Sequence, residues 1–522
     1  MSDEPTVTAT PAGRPAPGAQ TAVPEPGTAP RPHRTLITAT AVLASMIYSI
    51  DWTIAAVALP HMQGTFSATQ DQISWVMTSY IVISAIALPT TGWLSAVLGR
   101  KRLFLTAIGG FTLFSLLCGA ATSLETEIAA RVCQGAFGAF LIPLSQALIL
   151  DNYPREQHAQ AIALWGLGVI LGPIAGPTIG GYLTEEYSWR WVFYVGVPIG
   201  LIAMAGGLYA LPKDDPDRRS TGFDWLGFAA LAMAVGCLQL MLDRGERLDW
   251  FQSLEIQIEA GLSLLGFYLF VVHGLSAKAP IVNLRLMLDR NYALGLLFAF
   301  LYGVLTLPPL VLMPPFLAAL QGYPVVTVGL LLSPRGLGLM LAMFVLGRLG
   351  NRVDPRLTLS LGFAAIGVSS WVMTGWSLDV GASAVVWTGV VQGLGAGAII
   401  VPLGVVTFAT LDARHRTEAA SIWNLVRSAG SSIGIALAVF IVARMSSMSR
   451  ADIVAHVSHY NAAFRYPAHA GWSGLEEAPV MARLSEEITR QALMIGYLDV
   501  FYITAWASLL ALPLVLLMAR PK

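Results

Sequence analysis

The stretch "GPIAGPTIGGYL", Gly172 to Leu183, lies inside a long apolar run although it is rich in Gly and Pro. Both residue types destabilise an ordinary helix. Gly172, Gly176 and Gly180 recur at every fourth residue, and Gly168 extends the series. This spacing lines one helix face with small residues, which allow a neighbouring membrane helix to approach closely. The stretch therefore predicts a tightly packed membrane helix.

Two prolines interrupt the same run. Pro173 and Pro177 each lack a backbone N–H, and such losses are tolerated in membrane helices where neighbouring groups bond the freed carbonyls. We expect both prolines to bend the helix. The simpler interpretation is that the small residues only allow close helix packing. The functional interpretation is that this bent helix lies at the boundary where two halves of the protein move against each other.

The composition is that of a membrane protein. The 522 residues are 55% hydrophobic and 12% charged, whereas about a quarter of a soluble domain is charged. A formal net charge of zero, with Lys and Arg concentrated in short loops, excludes a nucleic-acid-binding surface. Apolar runs of roughly 20 residues or more, enough to cross a bilayer, predict fourteen helices over 35–59, 72–98, 103–122, 124–150, 158–182, 190–211, 222–242, 257–276, 291–319, 325–350, 357–377, 381–410, 418–445 and 496–519.

The charge distribution predicts the orientation. Residues 1–34 are rich in Pro, Ala, Gly and Thr and lack a signal-peptide core, so we expect a disordered cytoplasmic tail. Lys and Arg concentrate on the side of this tail, and acidic outer loops such as "SLETE" (123–127) fit the opposite side. We expect a protein integral to the cell (inner) membrane with both termini in the cytoplasm.

Two halves of the chain are similar. "TGWLSAVLGRKRLFL" (91–105) has a degenerate partner at 346–360, and "RVCQGAFGAFLIP" (131–143) has one at 389–402. Internal repeats around a central site are typical of transporters. We predict an all-α polytopic membrane protein with an N-terminal six-helix bundle (35–212), two extra linker helices (213–280) and a C-terminal six-helix bundle (281–522). The last contains a long outer loop at about 446–495.

Four stretches resemble a known family. They are "SIDWTIAAVALP" (49–60), "GWLSAVLGRK" (92–101), "RVCQG" (131–135) and the segment 168–200 that includes the opening stretch. From residue 35 onward, the chain resembles the major facilitator superfamily, and within it the fourteen-helix drug:proton antiporters of the EmrB-like multidrug exporters. One departure is Ala96, where the family's loop motif usually has Asp.

The resemblance implies two conformational elements. It implies an antiporter motif formed by Gly168, Gly172, Pro173, Gly176, Pro177, Gly180 and Gly181. It also implies an inner-loop gate formed by Gly92, Gly99, Arg100 and Lys101, although Ala96 removes the usual charge from this gate.

Two ionisable residues fall inside predicted helices at equal depth. Asp51 lies about eight residues from the outer end of the first helix and Arg131 about seven from that of the fourth, which places both roughly 10–12 Å below the surface. Ionisable groups in membrane helices by default mark a pathway or a proton relay. We predict that Asp51 transfers the proton and that Arg131 sets its affinity, as the resemblance also implies. The alternative is a permanently paired structural acid.

Polar and aromatic residues mark a candidate substrate pathway. We place Tyr48, Trp52, Gln134, Trp423, Asn424 and Arg427 in it. Arg427 either contacts polar or acidic substrate groups or bonds backbone carbonyls between the halves. Arg335 follows the helix-bending Pro334, and this position favours a structural role for Arg335.

Other motifs do not support enzymatic chemistry. "HVSHY" (456–460) and His469 lack a third close ligand, so we predict no metal site. "GLGAG" (393–397) lacks the Gly-Lys-Ser/Thr ending of a phosphate loop. We expect no enzyme and no cofactor, with a proton gradient as the energy source.

The residues and the resemblance together predict a proton-coupled secondary transporter that exports lipophilic drugs or toxic compounds by alternating access. One alternative is a dedicated exporter of one metabolite, such as a siderophore or a self-made antibiotic. Another is a non-transporting membrane sensor. The expected partners are lipophilic small molecules, protons and membrane lipid, and the resemblance also implies a periplasmic membrane-fusion adaptor and an outer-membrane channel.

Overall fold

The protein is a bundle of long helices. The computed structural model describes residues 34–212, 222–277, 280–349, 352–411, 415–457 and 478–518. In them we number fourteen helices: α1 (Arg34–Phe66), α2 (Asp71–Leu98), α3 (Arg100–Gly119), α4 (Leu124–Asn152), α5 (His158–Glu186), α6 (Trp191–Ala210), α7 (Trp225–Arg244), α8 (Leu254–Ser276), α9 (Arg290–Leu320), α10 (Val325–Leu349), α11 (Pro355–Met373), α12 (Ala382–Phe408), α13 (Arg416–His456) and α14 (Ala478–Val515). Thirteen are long and apolar enough to cross a membrane, and the fourteenth is α5 with 29 residues. The predicted all-α polytopic membrane fold is confirmed.

Side-chain caps determine where several helices begin. Ser123 accepts a hydrogen bond from the backbone N–H of Thr126 and starts α4. Asp224, Asp289 and Asp354 cap α7, α9 and α11 in the same way. Each cap contributes about 1 kcal/mol because it bonds an N–H that has no partner within the helix. Since α4 begins within the acidic stretch 123–127, this stretch is helical from its second residue.

Several helices contain breaks. A 3₁₀ turn at Leu88–Thr90 divides α2, and α4 is interrupted between Gly138 and Leu141. A π turn at Phe316–Leu320 ends α9, directly after Pro314 and Pro315. Each of these breaks lies at or beside a proline or a glycine, where an N–H is missing or a side chain is absent.

The first six helices and the last six each contribute most of one core, and Leu150 of α4 and Ile162 of α5 join the core of the last six. Buried side chains of α1, α2, α3, α4 and α6 form the first core, and those of α9, α11, α12, α13 and α14 form the second. The helices α7 and α8 pack against each other, where Ser263 donates to the carbonyl of Ala234 at 2.9 Å. Buried residues of α7 and α8 also join the second core. The domain boundaries at 212/213 and 280/281 stay predictions.

The beginning of α1 and the end of α14 lie on the same side, which we call the terminal face. Arg34 contacts Tyr153 just after α4, and Asp151 at the end of α4 contacts Arg416 at the start of α13. The first turn of α13 in turn contacts the segment before α9, and Arg290 of α9 donates to the carbonyl of Leu517 after α14.

The two six-helix groups meet along the bundle, since α5 and α10 face each other near one end, at Ala163 and Gly347, and near the other, at Thr178 and Gly329. Near the terminal face, α5 packs against α10, where the Cβ of Ala163 lies 2.9 Å from the position that a Cβ on Gly347 would occupy. The α4 and α13 helices also touch, through a 3.1 Å hydrogen bond from Asn424 to Gln146.

Three helices extend further than predicted. The α1 helix continues to Phe66, so Asp51 lies fifteen residues, or about 22 Å, from its end rather than eight. The α13 helix continues to His456, and α14 already begins at Ala478. The expected outer loop at 446–495 is therefore helical at both ends, because polar helical turns extend beyond the apolar spans. Residues 458–477, which include His469, and residues 1–33 of the expected tail lie outside the described residues.

Candidate functional site

Asp51 and Arg131 form a buried ion pair between α1 and α4. Nη1 of Arg131 donates to Oδ2 of Asp51 at 2.8 Å. Arg131 is fully buried, and Asp51 is 5% exposed. Gln134 completes the site. Its Nε2 donates to Oδ1 of Asp51 at 2.9 Å, and its Oε1 accepts from Arg131 Nη1 at 2.9 Å. Each carboxylate oxygen of Asp51 thus accepts a hydrogen bond, and Gln134 belongs to this site.

Apolar and aromatic groups enclose the ion pair. The Arg131 guanidinium lies 4.5 Å from the ring centre of Phe193 and 5.4 Å from that of Tyr80. Cys118 lies behind Gln134, with Sγ 3.6 Å from its Oε1. A buried pair is held in place by the cost of separating it, since removing one partner typically costs 3–5 kcal/mol. A proton added to Asp51 would weaken this pair and so alter the contact between α1 and α4.

Glu127 is a further member that sequence reasoning missed. It is fully buried in the first turn of α4, and its Oε1 lies 3.5 Å from Nε of Arg131. The predicted start of the fourth helix at residue 124 is confirmed, since the Ser123 cap begins α4 at Leu124. The acidic stretch 123–127 is therefore the first turn of this helix rather than a loop. The signal was present as an i,i+4 spacing of Glu and Arg, which places both on one helix face.

The glycine series of α5 faces α1. A Cβ built on Gly168 would lie 2.5 Å from Val42, and one on Gly172 would lie 2.4 Å from the backbone of Ser49. On Gly176 it would lie 2.1 Å from Oγ1 of Thr53. Only glycine permits this approach. The stripe therefore joins α5 to α1, within the first six-helix group, whereas other residues of α5 contact α10.

Two ends of the predicted motif differ in their surroundings. A Cβ on Gly180 would meet Ile54 of α1 at 2.8 Å, so Gly180 continues the stripe. Around Gly181 there is no atom within 4 Å of an added Cβ in the described part of the chain. Gly181 therefore takes no part in the close contact with α1.

Hydroxyl groups of α1 bond the backbone of α5. Ser49 donates to the carbonyl of Val169, which is the carbonyl that Pro173 leaves without its helical partner. Thr53 donates to the carbonyl of Gly172 at 3.0 Å. The expected compensation by a neighbouring helix is thus present at Pro173. The α5 helix runs on through both prolines, and the expected bend stays a prediction.

Arg427 lies on α13 between the two six-helix groups. Its Nη2 donates to Oδ1 of Asn424 at 3.4 Å, and its guanidinium lies 5.8 Å from the ring centre of Trp423. Asn424 in turn reaches Gln146 of α4. Trp423 is buried in the core of the second group, against Phe408. The structure thus places Trp423 in packing, while Asn424 links the groups.

A second cation lies near Arg427. Arg335 of α10 donates to the carbonyl of Thr306 at 2.5 Å. Tyr302 of α9 lies near both guanidinium groups, and Tyr48 of α1 lies near that of Arg427. Neither arginine has a carboxylate within 4.0 Å in the described part of the chain. The centre of the protein therefore has an excess of positive charge on the side of the second group.

The remaining aromatic residues of the predicted pathway pack in the first group. The rings of Tyr48 and Tyr80 have their centres 6.1 Å apart, and Phe111 lies 6.5 Å from Tyr48. Trp52 is half-buried beside the same core. Tyr48 is thus the aromatic residue that connects the Asp51 site to Arg427.

The predicted gate residues meet the second group at the terminal face. Arg100 forms an ion pair with Asp151 at the end of α4, and Arg416 of α13 contacts the other oxygen of Asp151 at 3.0 Å. A Cβ on Gly92 would lie 3.0 Å from Glu418 of α13. Asp151 thus supplies the negative charge that Ala96 does not, and it ties the two groups together.

The other two gate residues shape the turn between α2 and α3. Gly99 has φ of 98°, a backbone conformation that favours glycine. Lys101 donates to the carbonyls of Leu208 and Leu211 at 2.9 and 2.7 Å, at the end of α6. These contacts hold the turn against the first group and direct Arg100 toward Asp151.

The chain is similar to several characterised proteins. The model of the Major Facilitator Superfamily matches residues 41–435. The multidrug export protein EmrB of Haemophilus influenzae is 34% identical over 93% of this chain and 96% of its own. EmrB of Escherichia coli K12 is 33% identical over 91% of this chain and 93% of its own. The fatty acid resistance protein FarB of Neisseria gonorrhoeae is 31% identical over 92% of this chain and 95% of its own.

A solved structure supports the fold. The human organic anion transporter MFSD10 matches with a TM-score of 0.58 at 13% identity, over 92% of this chain and 100% of its own. The sequence similarity and the shared fold agree with the two six-helix groups described above. The chain belongs to the Major Facilitator Superfamily and is an integral membrane protein.

Proposed function

We propose that the protein exports lipophilic compounds in exchange for protons by alternating access. The observation that supports this most directly is the buried Asp51–Arg131–Gln134 site on α1, the helix to which the glycine stripe of α5 is joined. A protonation change at Asp51 would act on α1, and α5 contacts α10 of the second group. The names of the curated relatives, which refer to multidrug export and fatty acid resistance, support the same function.

A proton gradient is a sufficient energy source in this proposal. One charge that crosses 100 mV provides about 2.3 kcal/mol, which sustains more than a tenfold concentration gradient of substrate per proton. The protein would therefore need no cofactor and no catalytic group, and it is proposed to be a transporter rather than an enzyme.

The proposed orientation places the terminal face in the cytoplasm of the cell and the opposite side outside the inner membrane. The excess of Lys and Arg on the terminal side supports it. The Asp151 bridge to Arg100 and Arg416 would then close the cytoplasmic side in this conformation. Opening toward the cytoplasm would require these ion pairs to separate.

Arg427 and Arg335 provide the proposed polar end of the substrate pathway. Two cations without a carboxylate partner nearby favour compounds with an acidic or polar group beside an apolar body, since drug-sized sites combine apolar walls with a few polar anchors. Beyond the membrane, a periplasmic membrane-fusion adaptor and an outer-membrane channel are the proposed partners, which the similarity to EmrB supports.

The test uses purified protein in liposomes that contain a pH-sensitive dye. A panel of lipophilic compounds is applied to wild type and to Asp51→Asn, whose folding is checked by thermal unfolding and whose binding is checked separately. We expect substrate to evoke proton movement in wild type and none in the variant. Proton movement that persists in Asp51→Asn would contradict the role of Asp51. A wild type that moves no protons with any compound would contradict antiport itself.

A further inference from the structure

We propose that Glu127 is a second proton-binding residue, which shares the Arg131 guanidinium with Asp51 and holds a proton in this conformation. This inference rests on the proposed proton coupling and adds to it a residue that lies outside the stretches resembling the family. Its basis is the arrangement of three buried charged groups on α1 and α4.

One cation faces two carboxyl groups. Nη1 of Arg131 lies 2.8 Å from Asp51, and Nε of the same guanidinium lies 3.5 Å from Glu127. Arg131 and Glu127 are fully buried and Asp51 is nearly so. If both carboxyl groups were ionised, the site would bury a negative charge without a counterion, which is strongly unfavourable. A single bound proton makes the site neutral.

Hydrogen bonding indicates which carboxyl group holds the proton. Both oxygens of Asp51 accept hydrogen bonds, from Arg131 and from Gln134, as an ionised carboxylate requires. Neither oxygen of Glu127 accepts a hydrogen bond from an N–H or hydroxyl group in the described part of the chain, and the Cys118 thiol beside it is only a weak donor. Hydrogen bonds to a carboxylate stabilise its charged form. Asp51 is therefore the ionised member and Glu127 the protonated one.

The surroundings of Glu127 act in both directions. Its burial and the Asp51 carboxylate favour the protonated form, whereas Arg131 of its own helix, Cys118 of α3 and Arg190, just before α6, favour the ionised form. The Arg190 guanidinium donates to the carbonyl of Ala121 at 2.9 Å and stacks on Trp189 at 4.4 Å. Arg131 is the only group that forms an ion pair with Glu127 in the described part of the chain.

The position of Glu127 suggests an order of proton transfer. It lies one helical turn, about 6 Å, nearer than Arg131 to the end of α4 that is opposite the terminal face. A proton from that side would reach Glu127 first and then Asp51. In the transfer the O–H bond of Glu127 breaks and one forms on Asp51, while the guanidinium exchanges its partner from Asp51 to Glu127. The site remains neutral throughout.

The experiment compares Glu127→Gln with a matched control in the same helical turn. Glu125→Gln makes the same chemical change at an exposed residue two positions away. Both variants and wild type are reconstituted, and two quantities are measured: proton movement evoked by substrate, and substrate counterflow, which needs no proton gradient. We expect Glu127→Gln to lose the proton movement and keep the counterflow, Glu125→Gln to match wild type, and Glu127→Asp to retain proton movement at an altered pH.

Two outcomes would overturn the proposal. Proton movement per substrate in Glu127→Gln that equals wild type would show that Glu127 does not bind the transported proton. Loss of both proton movement and counterflow in a stably folded Glu127→Gln would show a structural role instead.

An infrared measurement tests the bound proton without transport. We expect the C=O band of a protonated carboxyl group, sensitive to exchange into D₂O, in wild type and in Glu125→Gln, and its loss in Glu127→Gln. The same band in all three proteins would overturn the assignment. If wild type moved no protons in liposomes, antiport would fail while this band still decided whether Glu127 is protonated.

Discussion

Replacing Gly172 by Ala tests whether the contact between α1 and α5 stabilises the protein. The added Cβ would lie 2.4 Å from the carbonyl carbon of Ser49 and 2.6 Å from its oxygen. These are backbone atoms, so no side-chain rotation relieves the overlap. Ordinary contact begins at 3.4 Å, and the two helices must therefore separate by about 1 Å in an interior that is packed as densely as a crystal.

The expected cost has two parts. Overpacking of this kind costs about 1–3 kcal/mol. The separation also lengthens the hydrogen bonds from Ser49 to Val169 and from Thr53 to Gly172, each worth about 0.5–1.5 kcal/mol. We expect Gly172→Ala to lower the free energy of unfolding by about 2–4 kcal/mol, and to slow transport because Asp51 lies two residues from Ser49.

Gly181→Ala is the matched control on the same helix. An added Cβ there meets no described atom within 4 Å, so we expect a change within about 1 kcal/mol, in the stabilising direction because Ala favours helix over Gly. Thermal unfolding in detergent can be followed with a thiol-reactive dye once the half-buried Cys133 and Cys237 are replaced by Ser in all variants, since Cys118 is fully buried until the protein unfolds. Equal melting temperatures for the two variants would refute the reasoning.

Three further predictions concern charged groups. Asp151→Asn should increase the opening of the terminal face about tenfold, because it weakens the bridge between two arginines; the labelling rate of Ala163→Cys reports this opening, and an unchanged rate would contradict it. Burial disfavours the Asp224 carboxylate, but hydrogen bonds from Gly227, His273 and Ile281 outweigh this and lower its pKa. Its stabilising contribution is therefore present above about pH 4 and lost as the pH falls through the lowered pKa; Asp224→Asn should unfold more easily at pH 7 and show a weaker acid dependence in thermal unfolding. Arg427→Gln should raise the KM for transport of lipophilic carboxylates about tenfold or more, and the KM of neutral analogues much less. Liposome transport assays measure both, and an equal rise in KM for the two kinds of compound would contradict a contact between Arg427 and acidic groups.

The sequence predicted the helices well because membrane spans are continuous apolar runs whose length matches the bilayer. It also predicted the contact of Asp51 with Arg131, since depth can be counted along a helix. The predicted end of the first helix was wrong, because α1 extends to Phe66 through polar residues that hydropathy does not assign to a span. The depth of Asp51 below the membrane surface stays a prediction. Gln134 was placed in the substrate pathway, whereas its side chain bonds Asp51. Periodicity shows that two residues share a helix face but not which neighbour that face meets.

What the sequence by itself determined was the membrane class, the number of helices, the repeat and the family, because each depends on local composition or on the order of motifs along the chain. Only the tertiary structure decided that the glycine stripe faces α1, that Asp151 joins Arg100 to Arg416, and that Glu127 lies buried beside Arg131. Each of these contacts joins side chains whose meeting depends on how the helices rotate and pack. That rotation is set by the close fit of whole surfaces, which no local stretch of sequence specifies.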